Sequence, residues 1–159
     1  MDQPTIHSDR ILLRPFCLDD AAAVQHLAGA HEIADTTLRI PHPYEDGMAE
    51  QWIADHEDQF RAGTNAVFAV VEKQSLELVG AVSLTIDEAV HKAELGYWIG
   101  RPWWNLGYAT EAAASLIDFG FRSLGLNRIV ARHLVRNPAS GRVMQKVGMT
   151  REGTLRKDT

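Results

Sequence analysis

One cysteine, Cys17, stands among 159 residues, so no intrachain disulfide can form and thiolate zinc clusters are excluded. No histidine-and-base arrangement is legible around that thiol, and Cys17 is expected to be a buried small apolar residue. Long hydrophobic runs are absent too: none approaches the ~20 apolar residues of a membrane span. The opening MDQPTIHSDR has no basic segment leading into an apolar stretch, so a secretory signal is not recognisable and the expected location is cytoplasmic. The seven histidines, His7, His26, His31, His42, His56, His91 and His133, form no metal-ligand spacing, and no metal is assigned. His133, on an expected strand in a basic neighbourhood, reads as a packed residue.

What is present is an ordinary globule, 45% apolar and 23% charged, of a length that suits a single domain spanning residues 1–159. The net charge of -5 hides an asymmetry. Residues 1–60 carry 12 acidic and 3 basic side chains, whereas residues 122–157 carry nine basic ones against Glu152 alone. Such a layout suits a protein that holds a polyphosphate at one end and receives a cation at the other, and equally fits solvated faces that happen to segregate. Direct nucleic-acid binding is disfavoured, because the basic segment has no interleaved aromatic residues and no zinc-finger spacing.

The periodicities predict an α/β chain. Arg10 to Phe16 reads as a first strand stopped by Pro15, and Asp19 can cap a helix that runs through Ala28 to Gly29. Residues 31–43, with Pro41 and Pro43, read as loop or irregular helix. From Tyr44 to Arg61, Met48, Trp52, Ile53, His56 and Phe60 recur at spacings of three and four, which predicts one amphipathic helix with an acidic outer face. Ala66 to Val71, Leu76 to Ile86 and Lys92 to Gly100 are extended runs joined by short turns, so three adjacent antiparallel strands are expected. A glycine-bearing loop then leads into a helix whose predicted apolar face is Ala109, Ala113, Leu116, Ile117, Gly120, Phe121 and Leu124, ended by Gly125. A strand over Arg128 to Leu134 and a helix over Pro138 to Val147 follow, the latter capped by Asn137 and stopped by Gly148. Strand, helix, strand in that order implies a parallel crossover pair.

Trp104-Asn105-Leu106-Gly107-Tyr108-Ala109-Thr110-Glu111-Ala112 lies between a predicted strand and a predicted helix. Backbone N–H groups at a helix N-terminus point outward without partners, and the helix dipole adds to their attraction for phosphate. Gly107 and Ala109 are placed where a diphosphate would have to approach the backbone. A plain helix entry accounts for one glycine there about as well.

With these residues in place, the chain resembles the GNAT superfamily of N-acetyltransferases. In that family a loop of the form (Gln or Arg)-x-x-Gly-x-(Gly or Ala) cradles the diphosphate of acetyl-CoA. Gly107 and Ala109 match it, and Trp104 departs from its first position. The wider string ELGYWIGRPWWNLGYATEA is similar to the branch that acetylates the N-terminal residues of ribosomal proteins (RimJ/RimL-like), as is LVRNPASGRVMQKVGMTREGTL downstream. The resemblance runs from about Arg10 to Leu155 and is sharp from Glu94 onward. It implies a mixed, mostly antiparallel sheet with a splayed parallel strand pair and helices on both faces. It also implies acetyl-CoA as cosubstrate and an amine acceptor, either a protein N-terminus or a small amine.

By the same resemblance Tyr97, Trp98, Ile99 and Gly100 would contact the pantetheine arm, mostly through main chain, with Gly96 and Gly100 fitting a strand interrupted by a bulge. Trp104, Asn105, Leu106, Gly107, Tyr108, Ala109 and Thr110 would surround the diphosphate. Asn137 would hydrogen-bond the arm, a role compatible with helix capping. Ser140 would lie near the thioester sulfur, where an exposed helix residue is the plainer reading. Attack by a neutral amine needs a proton acceptor and a donor to the leaving thiolate. Glu94 is the candidate base, against the plainer reading of a solvated edge carboxylate; Ser140 is the candidate donor, with Tyr108 behind it. Trp103 and Trp104 are expected to line a channel or, for one of them, to enter the core. Acyl transfer in this family is direct, in keeping with the lack of a visible activated nucleophile. Relatives of this branch usually continue past the Arg-Glu-Gly-Thr-Leu-Arg segment into a further strand. The ending at Thr159 leaves three arrangements open: a truncated product, a homodimer that exchanges a strand, or a shorter sheet that still works. A noncatalytic acyl-CoA-binding module remains the alternative from another class.

Overall fold

The computed structural model describes residues 2–29, 44–131 and 138–148, with backbone alone for 138–141. Among these residues six strands form one sheet in the order β1-β2-β3-β4-β5-β6: Ile6–His7, Ile11–Arg14, Asn65–Glu72, Leu78–Asp87, Lys92–Ile99 and Arg128–Ala131. Neighbours are antiparallel except β5 and β6, which run parallel. The helices are α1 (Ala21–Ala28), α2 (Met48–Ala54), α3 (His56–Ala62), α4 (Tyr108–Arg122) and α5 (Pro138–Lys146). The crossover from β5 through α4 to β6 is what makes the last pair parallel.

Alternation along the strands divides the core in two. Phe68, Val70, Val82, Leu84, Ala93 and Leu95 face α4, whose Ala112, Ala113, Leu116 and Phe119 cover them. Val67, Ala69, Val71, Ala81 and Trp98 face Val24, Leu27 and Ala28 of α1 and Ala49 and Ile53 of α2. Phe68 is wholly buried and meets the Phe119 ring edge-on at a centroid separation of 5.8 Å; a side chain of that size contributes about 1.5–3 kcal/mol by leaving water. Gly120 lies in the middle of α4 because the helix presses on the sheet there. A Cβ at that position would come within 3.0 Å of both Ile129 Cδ1 and Leu84 Cδ1.

Several expectations change. The predicted helix over 44–61 is two helices meeting at Asp55, although His56 does occupy the buried side. On α4 it is Phe119 that turns inward, while Phe121 is 46% exposed. Leu76 belongs to the turn, not to β4, with φ at 61° and its side chain in solvent. Cys17 is exposed, not buried. Its N–H donates to Asp20 Oδ2 at 2.9 Å, which turns the residue away from the core at the start of the 3-10 turn Leu18–Asp20. The β4–β5 ladder runs without a break from Gly80↔Ile99 to Asp87↔Lys92, so Gly96 makes no bulge against β4. The register shift falls instead between β3 and β4, where Val70↔Gly80 is followed by Val71↔Leu78 and Val79 is the extra residue. The expected loop at 31–43, the end of the strand toward Leu134 and His133 lie outside the described residues.

Candidate active site

The parallel pairing of β5 and β6 is recorded from Lys92↔Arg128 to Leu95↔Ala131, and β5 continues beyond it to Ile99. At its end, Gly100 N donates to Val79 O at 2.8 Å. Gly100 is hemmed in: a Cβ would meet Leu27 Cδ2 at 3.0 Å and the Trp103 ring at 3.2 Å. The 3-10 turn Arg101–Trp103, with Pro102 inside it, then reverses the chain. Trp104 packs against both core clusters, as Trp103 does, and its indole N–H donates to Ile99 O at 2.6 Å. The Arg101 guanidinium lies 4.9 Å from the centre of the Trp104 ring. So Trp104, at the position where the loop motif has Gln or Arg, closes the loop back on β5 and has no N–H left for an anion.

Asn105 and Gly107 both adopt left-handed backbone, at φ 64° and 83°. Asparagine and glycine are the residues that tolerate this region, and here they aim the chain into α4. Asn105, Leu106 and Gly107 are exposed, and Ala109 and Thr110 half-exposed, at the first turn of a 15-residue helix. The N–H groups of that turn have no helical partner and face the same way as the helix dipole's positive end. This surface fits a diphosphate: small or main-chain groups, no bulk at Gly107, and donors in a row.

Behind the loop stands a network of residues that the sequence reading missed. Arg10, at the entrance to β2, donates from Nη1 to Leu106 O at 2.6 Å and from Nε to Glu111 Oε1 at 2.8 Å. Glu111 Oε2 accepts the main-chain N–H of Arg10 at 2.8 Å and of Ile11 at 3.2 Å. Burial pushes the Glu111 carboxyl up, but hydrogen bonds from Arg10, the Ser8 side chain and the Ile11 N–H together outweigh it and hold the group below the usual carboxylate range. The Arg10 guanidinium also lies 4.8 Å from the centre of the Tyr108 ring. Tyr108 is buried, and its hydroxyl donates to Glu72 Oε2 at the end of β3. That bond lowers the Glu72 pKa and raises that of Tyr108. Arg10 lies 101 residues from Glu111 and Tyr108 lies 36 from Glu72 in sequence, and no periodicity links them.

The remaining candidates separate. Glu94 is half-buried on β5, opposite Thr85 of β4 and Val130 of β6. Because Ala93 and Leu95 point to α4, Glu94 points to the other face, the face of α1 and α2, with Trp98. Trp98 and Ile99 are buried, and Tyr97 is half-buried against the α4-side cluster. The Tyr108 hydroxyl is tied to Glu72 of β3, two strands from β5. Asn137 lies outside the described residues, and of Ser140 only the backbone, in the first turn of α5, is described. No group of three or more His, Cys, Asp or Glu side chains is arranged to hold a metal among the described residues, and no described helix is long and apolar enough to cross a membrane.

A mixed sheet with one parallel pair, and a phosphate-ready helix entry at the end of that pair's first strand, define an acyl-CoA-dependent transferase. The family model described as "Acetyltransferase (GNAT) domain" matches residues 10–150, and the chain belongs to this family, an N-acetyltransferase that takes acetyl from acetyl-CoA. It is 32% identical over 154 residues to the uncharacterized N-acetyltransferase p20 of Bacillus licheniformis, covering 96% of this chain and 85% of that protein. A crystal structure of a GNAT-family acetyltransferase from Bacillus anthracis superposes with a TM-score of 0.81 at 29% identity, covering 94% of this chain and 86% of that one. A structure described as a putative ribosomal-protein-serine acetyltransferase from Vibrio cholerae gives 0.78 at 27% identity, with 93% and 84% covered.

Proposed function

We propose that the enzyme acetylates the α-amino group of a protein N-terminus, with a ribosomal protein as the acceptor class. The likeness to the Vibrio cholerae protein and the strings around the loop support the acceptor. The observation that carries the chemistry is the placement of the turn with exposed Asn105, Leu106 and Gly107 beyond the end of β5, the strand that also bears Glu94. Acetyl-CoA, when bound, supplies an electrophilic thioester carbonyl and a thiolate that can leave.

The N–H groups of the first α4 turn hold the diphosphate, with Gly107 leaving room for it. The edge of β5 from Tyr97 to Gly100 guides the pantetheine arm, and Asn137 bonds to it. Glu94 takes the proton from the acceptor ammonium, directly or through one water, so that the amine nitrogen attacks as a neutral base. As the C–N bond forms and the C–S bond breaks, Ser140 donates a hydrogen bond to the departing sulfur, and the extra proton on the acylated nitrogen passes to the thiolate. Entry of the acceptor from the Glu94 face keeps it on the side of the sheet opposite α4.

Calorimetric titration of acetyl-CoA, with dephospho-coenzyme A as a control, is expected to show saturable one-to-one binding. Glu94→Gln should then lower kcat by about two orders of magnitude or more with acetyl-CoA affinity retained. Full turnover by Glu94→Gln would remove Glu94 from the mechanism. Gly107→Glu, which strains the left-handed turn at φ 83° and drives a side chain into Arg10 behind the loop, should abolish cofactor binding. Among acceptors, turnover of small amines but of no N-terminal peptide would overturn the protein-acceptor reading. Binding without turnover of any amine would favour a noncatalytic acyl-CoA module.

A further inference from the structure

Glu111 poses a problem for anion binding. It places a carboxylate in the first turn of α4, beside the N–H groups that the acetyl-transfer reading assigns to a diphosphate. Its side chain is only 14% exposed, so solvent screens it poorly. Left alone, it would repel the diphosphate and compete for the same helix end.

Arg10 resolves both difficulties with one side chain. Its Nε binds Glu111 Oε1 at 2.8 Å and cancels the charge. Its Nη1 binds Leu106 O at 2.6 Å, which pins the carbonyl immediately before Gly107 on the Arg10 side of the loop. Nη2 lies where it would be 3.0 Å from a Cβ at Gly107, so the guanidinium underlies the left-handed residue on which the turn into α4 depends. The Tyr108 ring stacks on the same group and is itself anchored to β3 through Glu72. Meanwhile Trp104 has spent its indole N–H on Ile99 O, so the motif position that elsewhere carries Gln or Arg contributes no donor.

We propose that Arg10 is a positioning residue for the diphosphate loop, which neutralises Glu111 and holds the Leu106 carbonyl so that the α4 N–H groups are presented to acetyl-CoA. This rests on the acetyl-transfer reading. Arg10 acts from behind the loop through Leu106 and Glu111, and is not itself a phosphate ligand.

The test is calorimetry with acetyl-CoA on wild type, Arg10→Gln, Glu111→Gln and the double variant, at a temperature where circular dichroism shows each folded. Arg10→Gln should weaken binding about tenfold or more, since charge-assisted bonds are lost and a carboxylate is exposed beside the anion. At saturating acetyl-CoA its kcat should stay near wild type while the KM for acetyl-CoA rises. Glu111→Gln should weaken binding less, because the lost bond is offset by a lost repulsion. The double variant should bind more tightly than Arg10→Gln. Should Arg10→Gln fold poorly, Arg10→Lys serves: it keeps the charge but loses the fork, and its affinity should lie between Gln and wild type. Affinity unchanged in Arg10→Gln or in Arg10→Lys and Glu111→Gln together overturns the proposal. A double variant that binds no more tightly than Arg10→Gln overturns it too, by showing that the Glu111 carboxylate does not oppose the anion. Wild-type protein that does not bind acetyl-CoA sinks the acetyl-transfer reading and this proposal with it; wild-type binding with Arg10→Gln undiminished sinks this proposal alone.

Discussion

His56 is buried, with neither imidazole nitrogen hydrogen-bonded, between the rings of Phe16 at 5.6 Å and Trp52 at 4.5 Å. Burial pushes its pKa down to about 4, against a small upward pull from Asp55. The folded state therefore keeps the ring neutral, while the unfolded chain takes up a proton near pH 6.5. Stability falls as the pH drops from about 6.5 to about 4, by roughly 3 kcal/mol over that window, and this group costs nothing further below it. His56→Leu removes the proton site and should lose correspondingly less between pH 7 and 4.5, compared through urea midpoints at the two values. An identical loss in both proteins would show that His56 is not the group responsible. The same sign holds at Asp20, in a lower pH range. Burial raises its pKa, but the Arg14 fork at 2.8 and 2.9 Å and the Cys17 N–H outweigh that and leave it lowered. Its contribution is present at neutral pH and is lost as the pH falls through the carboxylate range. The sequence could place His56 on an inward face by its spacing, because periodicity reports burial. It could not pair Arg14 with Asp20 or turn Cys17 outward, because such contacts depend on the local path of a 3-10 turn.

The elements that carry the site differ in how readily the chain reveals them. β3, β4 and β5 are legible as extended runs with short turns, and α4 as a helix entered through glycine, because each has a period or a punctuating residue of its own. β1 has two residues and no period to read. The break at Asp55 leaves the apolar spacing intact on both sides, so one helix and two read alike. Gly80 shows a constraint invisible in sequence: a Cβ there would lie 2.2 Å from the Trp98 carbonyl oxygen, which is backbone of the neighbouring strand and cannot swing aside. Gly80→Ala must therefore part β4 from β5 or distort the bulge at Val79. A loss of about 3 kcal/mol or more is expected, at the upper end for single substitutions. Gly125→Ala is the matched control. It has no neighbour within 4 Å and only its positive φ to offend, which costs about 1–2 kcal/mol. Thermal midpoints of the two variants should differ clearly in that order; equal midpoints would mean that the strands yield without cost at Gly80.

At the scale of the whole molecule, the charge asymmetry read from the sequence has a spatial counterpart among the described residues. Glu45, Asp46, Glu50, Asp55, Glu57 and Asp58, on and just before α2 and α3, are exposed. Arg122, Arg142 and Lys146, at the end of α4 and on α5, are exposed as well, whereas Arg128, paired with Lys92, points to the Glu94 face. α2 covers the sheet face toward which Glu94 points, and α4 covers the other. The surface around α2 is thus acidic on the proposed acceptor side, and a basic group lies at the C-terminal end of α4 and on α5. A cationic N-terminal peptide approaching Glu94 past α2 crosses a field that draws it in. Reversing Glu45, Glu50 and Asp58 to lysine should raise the KM for a basic acceptor peptide severalfold at low ionic strength. The KM for an uncharged peptide with the same first residue should hardly move, and the difference should shrink as salt is raised toward a Debye length of about 8 Å near physiological strength. Equal effects on both peptides would mean that α2 and α3 shape the acceptor site by contact, whereas no effect on either would make the acidic layer a solvated face alone.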